Sequence, residues 1–180
     1  AVMRSLKWKS LGAVCVALGA FTSLAAGLDP CPLDLSPAAE PGLRPMFNKL
    51  EPGPKEIDGV PFTVADARVV VRPTEKRIVE FPPTVCGCLH FLHFTENAAD
   101  NTGSYTLVYA DGERVDIALR SGLNIQDWWK PGTLAFAAQA YTDAFMLGEQ
   151  PQPIGFWRFS MQNPRPDAPL AALEIKNNDP

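Results

Sequence analysis

The chain has 180 residues, of which 46% are hydrophobic and 20% are charged, a balance that supports a globular core and excludes a wholly disordered protein. Its 18 prolines, about twice the usual share, disfavour long helices and favour short elements joined by turns. The formal net charge of −4, with no run of lysine or arginine, makes nucleic acid a poor partner.

Residues 1–26 are predicted to be a secretory signal peptide. A basic head with Arg4, Lys7 and Lys9 precedes the apolar run 11–24, and small residues follow, which is the order of a signal sequence. The apolar run is shorter than the roughly 20 residues that span a bilayer, and a retained N-terminal anchor is the competing interpretation. Cleavage would leave a more acidic protein that is secreted, periplasmic or on the cell surface, without a membrane attachment.

Residues 27–56 are rich in proline and show no regular hydrophobic period. Such a composition indicates turns and extended backbone rather than helix. Because apolar side chains recur between positions 43 and 50, we expect the segment to pack on the folded domain instead of extending from it.

Residues 57–180 are predicted to form an all-β domain, because apolar and polar residues alternate in short runs. The alternation is cleanest in Glu113–Arg120, and Asp111-Gly112 before it predicts a tight hairpin turn. Only Ala135–Met146 comes close to a helical pattern. Many short strands with frequent turns predict an antiparallel β-sandwich or jelly roll. In chain order, the predicted strands are Ala67–Val71, Arg77–Phe81, Leu89–Phe94, Ser104–Tyr109, Glu113–Arg120, Leu134–Ala140, Ile154–Met161 and Leu170–Ile175.

Five short segments carry a family resemblance: Gly59–Phe62, Leu89–His93, Tyr105–Gly112, Gly122–Trp129 and Gln162–Pro166. In their order and spacing they resemble the galactose-binding-like jelly-roll modules of secreted bacterial proteins, which are often attached to glycoside hydrolases. The resemblance covers the chain from about Leu35 to Ile175 and implies a jelly-roll fold that binds carbohydrate. The family continues with a closing strand, so we expect either a fragment of a longer protein or a short last strand.

The neighbouring residues Trp128 and Trp129 are predicted to contact the ligand. Sugar rings present C–H faces that stack on aromatic rings. Adjacent residues in an extended loop point to opposite sides, so one tryptophan is expected to pack inward and the other to be exposed. Arg120, Asn124 and Asp127 are predicted to hydrogen-bond sugar hydroxyls beside the exposed ring. The alternatives are that both tryptophans close the end of the sandwich and that Asn124 and Asp127 are ordinary turn formers.

Three cysteines, Cys31, Cys86 and Cys88, lie outside the signal segment. In an exported protein this odd number predicts a disulfide from Cys31 to either Cys86 or Cys88, with the third thiol free or in an intermolecular link. In an extended strand Cys86, Cys88 and His90 would share a face, with His93 on the other side. A tetrahedral zinc site needs a fourth ligand, so no metal site is predicted there.

No cofactor is expected, although the loop oxygens of Asp66, Asp100 and Asn101 are candidates for a structural calcium. We do not expect an enzyme, because the sequence has no nucleophile elbow, phosphate loop or metalloprotease helix, and nothing distinguishes a catalytic carboxylate pair. The predicted function is therefore non-catalytic carbohydrate binding. The alternative is a structural domain that docks against another domain or a surface protein.

Overall fold

The computed structural model of the chain describes residues 15–21, 33–41, 47, 50–96, 100–147 and 149–178. Within these residues there are twelve strands and one short 3-10 turn, Ser36–Ala38. No helix among them is long and apolar enough to cross a membrane. The strands are β1 (Cys15–Phe21), β2 (Glu40–Pro41), β3 (Gly53–Ile57), β4 (Val60–Val64), β5 (Ala67–Arg68), β6 (Lys76–Thr84), β7 (Cys88–Phe94), β8 (Asn101–Tyr109), β9 (Arg114–Arg120), β10 (Ala137–Leu147), β11 (Gln150–Gln162) and β12 (Leu170–Asn177).

The strands form two larger antiparallel sheets. Sheet I has the order β1-β7-β11-β10, and sheet II has the order β6-β12-β8-β9. Two smaller pairs, β2–β5 and β3–β4, are also antiparallel. The prediction of an all-β protein with antiparallel sheets is confirmed, and the two four-stranded sheets pack as in a β-sandwich.

The main core lies between the two sheets. Sheet I contributes Leu89, Phe91 and Phe159, and sheet II contributes Tyr105 and Leu173 among others. The Phe91 and Tyr105 rings stack across the core with centroids 4.4 Å apart. As the alternation predicts, β9 directs Val115, Ile117 and Leu119 inward and keeps its charged residues exposed.

A second core covers the other face of sheet I. Alternation along β7 turns Leu92 and Phe94 away from the sandwich interior, where they pack with Phe47, Phe62 and Phe156. The hairpin β3–β4 supplies Phe62 and closes through a two-residue turn, Asp58-Gly59, whose φ angles are 53° and 74°. Paired positive φ values are the signature of the tight turn that suits the twist of a hairpin. Phe47, which lies in the proline-rich segment, is fully buried.

A buried asparagine, Asn163, joins the end of β11 to the start of β7 and the end of β8. The Asn163 amide donates to the carbonyl oxygen of Cys86 at 2.8 Å, and its Oδ1 accepts a hydrogen bond from the Tyr109 hydroxyl at 2.5 Å. Arg165 lies over the Tyr109 ring and forms a two-point ion pair with Asp111, at 2.9 and 2.6 Å. These contacts give the Gln162–Pro166 segment a structural role.

Two segments that the sequence left open have a defined structure. The run Ala135–Met146, which comes close to a helical pattern, lies mostly in strand β10, which pairs with β11. Cross-strand hydrogen bonds and packing here override the helical propensity of alanine. Part of the predicted signal segment forms β1 and pairs with β7. Whether residues 1–26 are removed during export stays a prediction.

Candidate functional site

One end of the sandwich is built around a long loop, Ser121–Phe136, which we call the tryptophan loop. Its backbone is fixed to both neighbouring strands of sheet I. Thr95, after β7, donates from its amide to the Gln126 carbonyl at 2.9 Å and accepts from the Trp128 amide at 3.0 Å, and Gly155 of β11 donates to the Trp128 carbonyl at 2.7 Å. Main-chain bonds to two strands hold the loop in one conformation.

The two tryptophans divide between the interior and the solvent. Trp128 is half-buried and meets the buried Phe47 ring edge-on, with centroids 6.4 Å apart. Trp129 is 39% exposed, and its ring lies 5.9 Å from that of Trp128. Trp128 therefore packs the loop against the second core, whereas part of the Trp129 ring is exposed to the solvent.

Asn124 is buried, and its side chain serves the loop itself. Its Oδ1 accepts from the Arg120 amide at 2.8 Å, and its Nδ2 donates to the Ala118 carbonyl at 2.9 Å. Both ends of the amide thus stabilise the turn that follows β9. The turn interpretation of Asn124 has direct structural support, and a ligand role for it remains a prediction.

Asp127 is also buried and braces the loop. Its Oδ1 accepts from the Thr95 hydroxyl at 2.8 Å, and the ammonium group of Lys130 lies 3.7 Å from its Oδ2. Arg120, by contrast, is exposed at the end of β9. Of the three polar residues predicted to contact a ligand, Arg120 is the one whose side chain is open to the solvent.

The structure adds charged residues that sequence reasoning did not select. Burial raises the pKa of Glu96, Arg68 acts in the opposite direction, and Asp127 raises it further. Glu96 follows Thr95 in the chain and so lies beside the tryptophan loop. Lys130 is largely exposed. Charged residues of both signs therefore lie beside the loop, in addition to the residues that the sequence indicated there, namely Trp128, Trp129, Arg120, Asn124 and Asp127.

A buried histidine of β7, His93, forms a hydrogen bond with the backbone of the tryptophan loop. His93 is fully buried; its Nε2 lies 2.7 Å from the Asn124 carbonyl oxygen and its Nδ1 lies 2.8 Å from the Tyr105 hydroxyl. Because a carbonyl only accepts, Nε2 must carry the proton and Nδ1 must accept from Tyr105. Burial lowers the pKa of His93 to about 4, against the opposing effect of the Asn124 carbonyl. The imidazole is therefore neutral at physiological pH and packs in the core between the sheets.

The cysteines and the remaining polar candidates lie elsewhere. Cys86 is buried and Cys88 is half-buried, and Cys31 lies outside the described residues, so the disulfide stays a prediction. His90 and His93 point to opposite faces of β7, and among the described residues no three His, Cys, Asp or Glu side chains gather in a way that could hold a metal ion. The calcium candidates are not tested by this, since Asn101 contributes an amide oxygen.

An open depression of about 410 Å³ lies outside the tryptophan loop and is lined by Arg165, Pro166, Asp167 and Ala168. The Arg165 guanidinium is already engaged with Asp111, and this pairing lowers the pKa of Asp111 to about 2. The depression is open and the described residues that line it carry no exposed aromatic ring, so the tryptophan loop is the better candidate site for a sugar.

No protein-family model matches the chain, and no significant match is found among curated proteins. What the structure establishes is the class: an all-β protein whose antiparallel sheets pack in a β-sandwich. No family match supports the resemblance to galactose-binding-like modules.

Proposed function

We propose that this protein is a non-catalytic carbohydrate-binding module of the jelly-roll type, exported by its N-terminal signal segment. The observation that carries the proposal is the exposed Trp129 ring on a loop whose backbone is hydrogen-bonded to Thr95 and to Gly155 of β11. A partly exposed tryptophan with polar neighbours provides a stacking surface for the C–H face of a sugar and donors and acceptors for its hydroxyls.

The construction of the loop supports this function. The side chains of Thr95, Asn124 and Asp127 form hydrogen bonds that stabilise the loop conformation. Because the loop around Trp129 is already ordered, sugar binding needs little further loss of conformational entropy. Arg120, exposed at the end of β9, and Lys130, next to Trp129 in the chain, are the proposed hydrogen-bond donors for sugar hydroxyls. Binding by one such face is expected to be weak and to gain strength through multivalency.

The test is a glycan array with the purified protein, the Trp129→Ala variant and the Ile78→Ala variant. Ile78 is a matched control, because it is also an exposed apolar residue but lies on β6 of sheet II. We expect Trp129→Ala to lose at least about tenfold in affinity for the bound sugar class, with an unchanged circular dichroism spectrum and normal binding by Ile78→Ala. Equal glycan binding by all three proteins would refute the site.

A second candidate function is docking against another protein or another domain. It is favoured by two further exposed apolar residues of the tryptophan loop, Leu123 and Phe136, which are 40% and 66% exposed and joined by a backbone hydrogen bond of 3.0 Å. Adjacent exposed apolar residues are typical of protein contacts. Absence of glycan binding, together with concentration-dependent self-association that Phe136→Ser abolishes, would favour docking over sugar binding.

A further inference from the structure

In sheet I the edge strand next to β7 is β1, the first strand of the chain. β1 pairs with β7 along its whole length, from Cys15 opposite Phe94 to Phe21 opposite Cys88. On its other side β7 pairs with β11. β7 is therefore an interior strand only while Cys15–Phe21 lies beside it.

The sequence of β7 lacks the features that protect an open edge. Proline, charged residues and bulges are the usual means of preventing an edge strand from pairing with another chain. Among the described strands, β6 carries Pro82 and Pro83, and β9 carries Arg114, Asp116 and Arg120. β7 contains neither proline nor a permanently charged residue. Its composition suits a strand that is always covered.

The position beside β7 also requires an apolar strand. β7 is buried on both faces, with Leu89 and Phe91 in the core between the sheets and Leu92 and Phe94 in the second core. Strands buried on both faces are continuously apolar instead of alternating. The sequence of β1, Cys-Val-Ala-Leu-Gly-Ala-Phe, has no charged or strongly polar residue and meets this requirement. β4 and β5 also approach β1, so the position is bounded on more than one side.

We propose that the free edge of β7, Cys88–Phe94, is a strand-acceptor site that binds an extended apolar segment of a partner polypeptide once residues 1–26 have been removed. Binding adds a strand to sheet I through main-chain hydrogen bonds, and the apolar faces of the sheet select the side chains. The inference rests on the predicted cleavage of the signal segment and is independent of sugar binding by the tryptophan loop.

The register defines the partner strand. It runs antiparallel to β7, contains about seven residues, has no proline or charge in that stretch, and places a small residue opposite His90, where the chain itself has Gly19.

The experiment uses the full chain with a recognition sequence for a site-specific protease inserted after Gly27, so that folding takes place with β1 present. After the cut, a fluorescent peptide with the sequence of Cys15–Phe21, flanked by lysines for solubility, is added in excess and its anisotropy is measured. We expect the cut protein to bind the peptide and the uncut protein to exclude it. A peptide with proline in place of Ala17 should bind at least about tenfold more weakly, because Ala17 lies opposite Leu92, whose backbone groups face β1, and proline there removes a ladder hydrogen bond.

Hydrogen exchange of the β7 amides gives an independent readout. Amides that donate to β1 should exchange faster after the cut strand is washed away and should recover protection with the peptide. If the cut protein instead unfolds, refolding on addition of the peptide but not of the proline peptide supports the site. Three results would each overturn the proposal. The first is that the β7 amides of the cut protein stay as protected as before and no added peptide binds. The others are that the two peptides bind equally well, or that an unfolded cut protein does not refold when the peptide is added.

Discussion

Acidification is expected to destabilise this protein through the buried imidazole of His93. In the folded protein burial holds the pKa of His93 at about 4, compared with 6.5 for an ordinary histidine. Above pH 6.5 the side chain is neutral in both states, so it adds no pH dependence. Between pH 6.5 and about pH 4 the unfolded chain takes up a proton that the folded protein excludes, and stability falls as the pH falls.

The size of the effect follows from the two pKa values. One pKa unit corresponds to about 1.4 kcal/mol, so the interval from 6.5 to about 4 amounts to a loss of roughly 3 kcal/mol. A domain of this kind is stable by only about 5–15 kcal/mol, so the loss is a large share of the total. The pKa of His90 is also lowered to about 4, by burial and then by Arg158. Its half-exposed ring adds a smaller effect of the same sign.

Urea denaturation followed by tryptophan fluorescence at a series of pH values measures this loss. The chain has only two histidines, so His93→Gln removes the main titration and His90→Gln serves as the matched control. Asp111, with a pKa lowered to about 2, acts at lower pH, because its contribution is present above 3.8 and is lost below it. Glu96, whose pKa is raised, acts in the opposite direction, since it favours folding while protonated.

The unfolding free energy of His93→Gln should vary much less between about pH 7 and pH 4.5 than that of the parent protein and of His90→Gln. A parallel decline in all three would show that His93 does not control the acid response. An NMR spectrum with the proton on Nδ1, or with a charged ring near neutral pH, would contradict the same reasoning, because the Asn124 carbonyl requires a proton on Nε2.

Two further substitutions test the packing. Asn163→Ala leaves the Tyr109 hydroxyl without its acceptor in the interior and should lower the unfolding free energy by about 2–4 kcal/mol in urea denaturation; a change below about 0.5 kcal/mol would contradict the buried network. Gly103→Ala places a Cβ atom 2.1 Å from the carbonyl oxygen of Lys176 and should lower the melting temperature markedly. Gly132→Ala, with no atom within 4 Å of the added carbon, is its control and should change it little.

Most of the sandwich could be predicted because its strands alternate or are bounded by turn residues. The exceptions have physical reasons. The hairpin β3–β4 carries the same Asp-Gly signal, at Asp58-Gly59, as the turn at Asp111-Gly112. Pro54 and Pro61 around it made the segment look irregular, although an antiparallel pair tolerates proline at positions whose amide faces away from the ladder. β10 was ambiguous because its alanines fit a helix as well as a strand, and pairing with β11 decides between them.

The site could be predicted only in part. An adjacent pair of tryptophans predicts one inward and one outward ring, and the rings divide in that way. The roles of Asn124 and Asp127 depend on which backbone groups and which side chain, that of Thr95, come within 3 Å after folding, and local sequence does not specify this. Glu96 and Lys130 gave no signal at all, because single charged residues in loops are common.

Buried hydrogen bonds explain how the polar sequence of the tryptophan loop adopts a single conformation. His93 reaches from the core to the Asn124 carbonyl, Asn124 closes the turn after β9, and Asp127 ties the next residues to Thr95. Two of the three polar residues that the sequence suggests for a ligand, Asn124 and Asp127, therefore fix the loop conformation, whereas the third, Arg120, is exposed. Under the proposed function, the loop positions the exposed ring of Trp129 before a sugar binds. Because such a ring needs little ordering on contact, even a shallow surface can retain a useful part of its stacking energy.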